Sequence, residues 1–143
     1  LEREEVVVST ITRFEEIEAW QTARLLTRQL YAVSASGAFA KDFGLRDQMR
    51  RAAVSILSNI AEGYESRTQA LFINYLGHAK GSAGELRAQL YVALDVGYLD
   101  QEQFARLCDL ADKASRQVDR FMTYLESRPD PRKLRDDSVE YEV

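Results

Sequence analysis

The sequence predicts an all-α protein built as an up-down-up-down antiparallel four-helix bundle. Three observations point there. Turn signals are scarce, with 2 prolines and 7 glycines in 143 residues, too few for the many reversals of a β-sandwich or barrel. Apolar side chains return every three to four residues along four long stretches, the period of a helix with one buried face. The breaks between these stretches are short, and short connections make consecutive helices antiparallel neighbours.

The first stretch covers about residues 14–33, with Phe14, Ile17, Trp20, Leu26, Leu30 and Val33 on one face. Residues 34–44 read as its exit loop. The second covers about 45–61 and is expected to stop at Gly63, a residue suited to the left-handed position just past a helix end. The third spans about 68–96 and stops at Gly97 for the same reason. Asp100 is placed to cap the fourth, which carries Phe104, Leu107, Cys108, Ala111, Val118, Phe121, Met122 and Leu125 before Pro129 and Pro131 forbid continuation. The bundle is thus expected over 14–126. Residues 1–13 read as an extended N-terminal arm, because Val6-Val7-Val8 and Thr10-Ile11-Thr12 are rich in β-branched side chains. Residues 127–143, mixed in charge and containing proline, read as a mobile C-terminal tail.

With 45% hydrophobic and 29% charged residues, the chain has apolar side chains for a core and charge for a solvated surface, which excludes global disorder. It carries 19 basic and 23 acidic residues, a net charge of −4, whereas a dedicated nucleic-acid domain usually has a basic excess. Any RNA or DNA site must therefore be a local patch. Between positions 14 and 127 there are 13 basic and 15 acidic residues, so half of the deficit belongs to the ends. A single cysteine, Cys108, excludes an internal disulfide and a multi-cysteine metal site. No apolar run approaches the roughly 18 residues of a membrane span, and Leu1-Glu2-Arg3-Glu4-Glu5 lacks the basic flank of a signal peptide. A cytoplasmic protein without a membrane partner is the expectation.

Two features exceed what a lone bundle needs. On the second stretch Leu45, Met49, Ala52, Ala53, Ile56 and Ile60 form the core stripe, but Val54, Leu57 and Ala61 widen the apolar arc to about 200°, against little more than about 100° for a corner helix. A partner subunit is the economical cover for the surplus. On the third stretch Gly77, Gly81, Gly84 and Ala88 fall within a strip of about 60°. Three interior glycines cost roughly 3 kcal/mol in helix propensity, so close approach by a neighbouring helix, a second chain or a ligand must offset them. Val54, Leu57, Ala61, Gly77, Gly81 and Gly84 are accordingly the expected oligomer interface.

No catalytic constellation is visible. His78 is the one histidine and reads as a boundary residue beside an apolar arc. Gly81-Ser82-Ala83-Gly84 lies inside a helical pattern with no preceding strand and no following lysine, so it is not a phosphate loop. Glu62 and Glu65 lack metal-ligand spacing, and Cys108 has core spacing with Phe104 and Ala111. No catalytic residue, metal or cofactor is expected. Gln48, Arg51, Ser55, Asn59 and Glu62 could meet Asn74, His78 and Glu85 in a polar network across two helices, or form a solvated face. The basic candidates for phosphate contact are Arg46, Arg50, Arg51, Lys80 and Arg87. The same arginines could equally pack at a subunit interface, Arg50 lying within the surplus apolar arc.

The stretch FGLRDQMRRAAVSILSNIAEG at 43–63 resembles the signature of the four-helix-bundle family of 23S ribosomal RNA intervening-sequence proteins. Trp20-Gln21-Thr22-Ala23, Ala79-Lys80-Gly81-Ser82-Ala83-Gly84-Glu85-Leu86 and Gly97-Tyr98-Leu99 extend the resemblance over about 14–125. It departs at Ala40, where a proline-containing loop is usual, and in its acidic balance. The resemblance implies a ring-shaped homopentamer, related to the accessory variability proteins of diversity-generating retroelements, which serve as nucleic-acid-binding partners of a reverse transcriptase. The implied function is a non-enzymatic accessory scaffold with RNA or DNA, a reverse transcriptase and further copies of itself as partners. The alternative is a protein-interaction ring with no nucleic-acid role.

Overall fold

The computed structural model describes residues 11–129; most of the expected N-terminal arm and nearly all of the expected C-terminal tail lie outside them. Within that span the chain forms a 3-10 turn at Phe14–Glu16 and five α-helices: α1 Glu18–Val33, α2 Gly37–Lys41, α3 Phe43–Glu65, α4 Gln69–Asp95 and α5 Gln101–Glu126. No strand occurs among the described residues. The long helices pack as a square in chain order. α4 lies along α3 and α5, and α1 completes the square against the same two helices.

Three of the four long helices start on a side-chain cap. Asp42 accepts the Leu45 N–H (3.1 Å) at the head of α3, and Thr68 Oγ1 accepts the Leu71 N–H (3.2 Å) at the head of α4. Asp100 caps α5 as expected and forms a full capping box: its carboxylate accepts the Gln103 N–H (2.8 Å) while Gln103 Oε1 accepts the Asp100 N–H (3.0 Å). No side chain caps α1, which instead follows the 3-10 turn. There Phe14 meets the Trp20 ring edge-on, with centroids 5.3 Å apart. Gly97 adopts φ +83° after α4, the left-handed ending expected of it.

Two expectations are corrected. The segment read as an exit loop contains α2, five residues too few to show a period. Gly63 does not end its helix. It is buried inside α3, which runs on to Glu65, and its φ is not positive. Its role is spatial: a Cβ built there would lie 2.7 Å from Phe72 Cδ1 and 2.9 Å from Tyr75 Cβ. The missing side chain is what allows α4 to approach α3 at this end.

The core lies along the axis of the square. Leu26 and Leu30 of α1, Met49, Ile56 and Ile60 of α3, Leu76, Leu86 and Leu90 of α4 and Leu107 and Val118 of α5 are fully buried. Ala23, Ala53, Ala79, Ala83, Ala93, Ala111 and Ala114 fill positions between them; small side chains there bring the helix axes close. At one end of the square Tyr98, in the α4–α5 loop, stacks on Phe39 of α2 (centroids 5.2 Å apart). Its hydroxyl donates to Asp42 Oδ2 (2.9 Å). The same aspartate that caps α3 thereby anchors the α4–α5 loop.

Candidate functional site

The five basic candidates do not form one patch. Arg46 is half-buried: Nε donates to Asp47 Oδ1 (2.9 Å), Nη1 donates to the Ala40 carbonyl (2.8 Å), and the guanidinium sits 4.8 Å from the Phe43 ring centroid. Arg50 reaches to α1, where Nε donates to Ser34 Oγ (2.9 Å) and the guanidinium lies 4.3 Å from the Tyr31 ring centroid. Lys80 and Arg87 turn the other way, toward α5. Lys80 pairs with Asp119 (2.8 Å), and Arg87 faces Asp112 (3.9 Å), which Arg116 also engages (3.0 Å). Arg51 is exposed, and no hydrogen bond or ion pair engages it among the described residues.

Arg50 and Arg51 both line an open depression on α3 together with Tyr31, Asp47, Val54 and Ser55. Sequence reasoning had selected the arginines and Val54 but not Tyr31 or Ser34, which orient Arg50. These two lie three residues apart, Tyr31 in the last turn of α1 and Ser34 just past its end. Their spacing could have been read; their meeting with Arg50, in another helix, could not.

The expected polar network to Asn74, His78 and Glu85 does not form; a smaller link through Ser82 joins the two helices instead. Ser55 and Ser82 hydroxyls join α3 to α4 at 2.9 Å, and Asn59 Nδ2 donates to the Ser55 carbonyl (2.8 Å) and hydroxyl (3.0 Å). Asn74 and His78 are exposed rather than joined to it. Glu85 instead accepts from Gln89 of its own helix (3.2 Å).

The two candidate interface features separate. On α3 the surplus arc is largely covered within the chain: Leu57 packs against the core and Ala61 is half-buried, while Val54 stays 37% exposed. On α4 the glycine strip lies opposite the core. Gly77 would bring a Cβ to 3.8 Å from Met122 Cε, but Gly81 and Gly84 have nothing within 4 Å. Among the described residues no helix uses their close approach. Ala70, Ala88 and Val92 continue the strip in the exposed direction, and Tyr91 flanks it, 56% exposed beside Phe104 (centroids 4.9 Å apart). The outer face of α5, by contrast, carries Glu102, Arg106, Asp109, Lys113, Arg116 and Arg120, all exposed.

Among the described residues no group of three or more His, Cys, Asp or Glu side chains could hold a metal ion. No helix there is long and apolar enough to cross a membrane. Cys108 is half-buried on α5, and loss of hydration pushes its thiol above the usual cysteine range.

An antiparallel four-helix square with a small cap helix, an exposed glycine strip on one helix and arginines on the adjacent helix defines a class of small helical-bundle protein. The chain belongs to the family of 23S rRNA-intervening sequence proteins, whose sequence pattern it matches over residues 15–120. Its structure is similar to the 1.70 Å crystal structure of a protein of unknown function from the S23 ribosomal protein family of Bacteroides thetaiotaomicron. The TM-score is 0.68 at 21% identity, over 73% of this chain and 95% of that one, a likeness of fold. None of the curated proteins matches the chain.

Proposed function

We propose that this chain is the subunit of a non-enzymatic, self-associating scaffold, in its fullest form a ring of five copies, that associates with RNA or DNA as an accessory to a reverse transcriptase. The observation that carries self-association is the outer face of α4. Glycines cost about 1 kcal/mol each inside a helix, and nothing among the described residues packs on Gly81 or Gly84 in return. A second copy seated on that face would use the close approach they permit. Val54 on α3 supplies further exposed apolar surface.

A second reading, a protein-interaction ring with no nucleic-acid role, is favoured by the internal pairing of Arg46, Arg50, Lys80 and Arg87.

Light-scattering mass of the wild-type chain and of Gly84→Glu tests the assembly. Because Gly84 faces open space, the substitution improves helix propensity and leaves the single bundle folded. The expected result is an oligomeric wild type and a variant of lower mass with undiminished thermal stability. A monomeric wild type, or a variant of unchanged mass, overturns it.

A further inference from the structure

We infer that the depression on α3 is a phosphate-binding site in which Arg51 makes the contact and Arg50 is a fixed second cation. The inference rests on the nucleic-acid part of the reading above only for the source of the phosphate.

The two arginines are in different states. Arg50 is held in place by the Ser34 hydroxyl and by the face of Tyr31. One side of its fork is thereby occupied, and N–H donors remain on the other, since a guanidinium carries five. Fixing the group beforehand removes much of the entropy loss that weakens contacts by long basic side chains. Arg51, the next residue, is exposed and unengaged, and both line the same depression, of about 510 Å³. The nearest acid in that lining, Asp47, already accepts from Arg46. The local balance of Arg46, Asp47, Arg50 and Arg51 is therefore positive in a chain that is negative overall.

The chemistry favours a phosphate group. Paired guanidinium forks match an oxyanion that accepts several hydrogen bonds at once. Ser55 lines the depression but is engaged with Ser82 and Asn59, and one face of Tyr31 is taken by Arg50. The phosphate could belong to a polynucleotide backbone or be free in solution, and two arms of one experiment separate these sources.

In the first arm, a fluorescent single-stranded RNA oligonucleotide is titrated with wild type, Arg51→Gln and Lys80→Gln at low salt. In the second, inorganic phosphate is titrated while the arginine side-chain N–H signals are followed by NMR. Expected is at least about a tenfold loss of RNA affinity for Arg51→Gln and less than about twofold for Lys80→Gln, with Arg51 shifting in phosphate. A phosphate shift at Arg51 without RNA binding supports the site and assigns it to free phosphate, which retires the nucleic-acid reading. RNA binding that Arg51→Gln leaves intact, or that Lys80→Gln weakens as much, overturns the inference and leaves that reading standing. No response in either arm overturns both. Arg51 is exposed and unpaired, so its substitution leaves the fold unchanged, which circular dichroism checks.

Discussion

Gly63 and Gly84 are the same residue type in long helices, and they do opposite things. At Gly63 the nearest obstacle to a Cβ includes Tyr75 Cβ at 2.9 Å, the root of a side chain, so α4 itself would have to move. Gly63→Ala should destabilise the bundle by about 1–2 kcal/mol, overpacking outweighing the gain in helix propensity. Denaturant unfolding reads this directly, and an unchanged or raised midpoint would show that the seam yields. Sequence alone placed Gly63 near the end of an apolar run, where a cap and a close approach look alike. The deciding residues, Phe72 and Tyr75, belong to the next helix. The arginines show the same limit. Their presence and helical positions were legible, whereas Arg50's partners Tyr31 and Ser34, and Lys80's partner Asp119, depend on how the helices meet.

At the scale of elements, the four long helices were legible because each carries a clear apolar period, and two ends were readable as well: Asp100 as the cap of α5 and Gly97 as the left-handed stop of α4. α2 was not, because its five residues are held by their neighbours. Its Phe39 stacks on Tyr98, and Tyr98 donates to Asp42. That hydrogen bond, followed by burial and the Asp42 charge, raises the Tyr98 phenol above the usual tyrosine value. The unfolded phenol titrates near about 10. Its contribution to stability is therefore complete below that pH and is lost as pH rises through the higher folded value. Thermal unfolding between neutral and strongly alkaline pH should show wild type falling more steeply than Tyr98→Phe above about pH 10. Parallel curves would mean that the bond adds nothing. Asp42 keeps its cap through the other carboxylate oxygen in either case.

For the whole molecule, one continuous core links all four long helices, so unfolding should be cooperative. α4 forms the two most extensive seams, with α3 and with α5. Amides from Leu76 to Leu90 should exchange with deuterium most slowly and those of α2 fastest; rapid exchange in the middle of α4 would contradict this arrangement. The outer surface is unequal in the same way. α5 presents ions to water, and α4 presents almost no side chains at Gly81 and Gly84. Symmetry gives that inequality a meaning. A face that meets only its own image saturates at two copies, whereas a closed ring requires each copy to offer two unlike faces. In the proposed ring the strip of α4 would be one face, and an unlike second face would have to come from apolar side chains elsewhere, such as Phe43 on α3, 63% exposed. On the proposed reading it is this second face that sets the valence: a copy offering only the α4 strip stops at a pair.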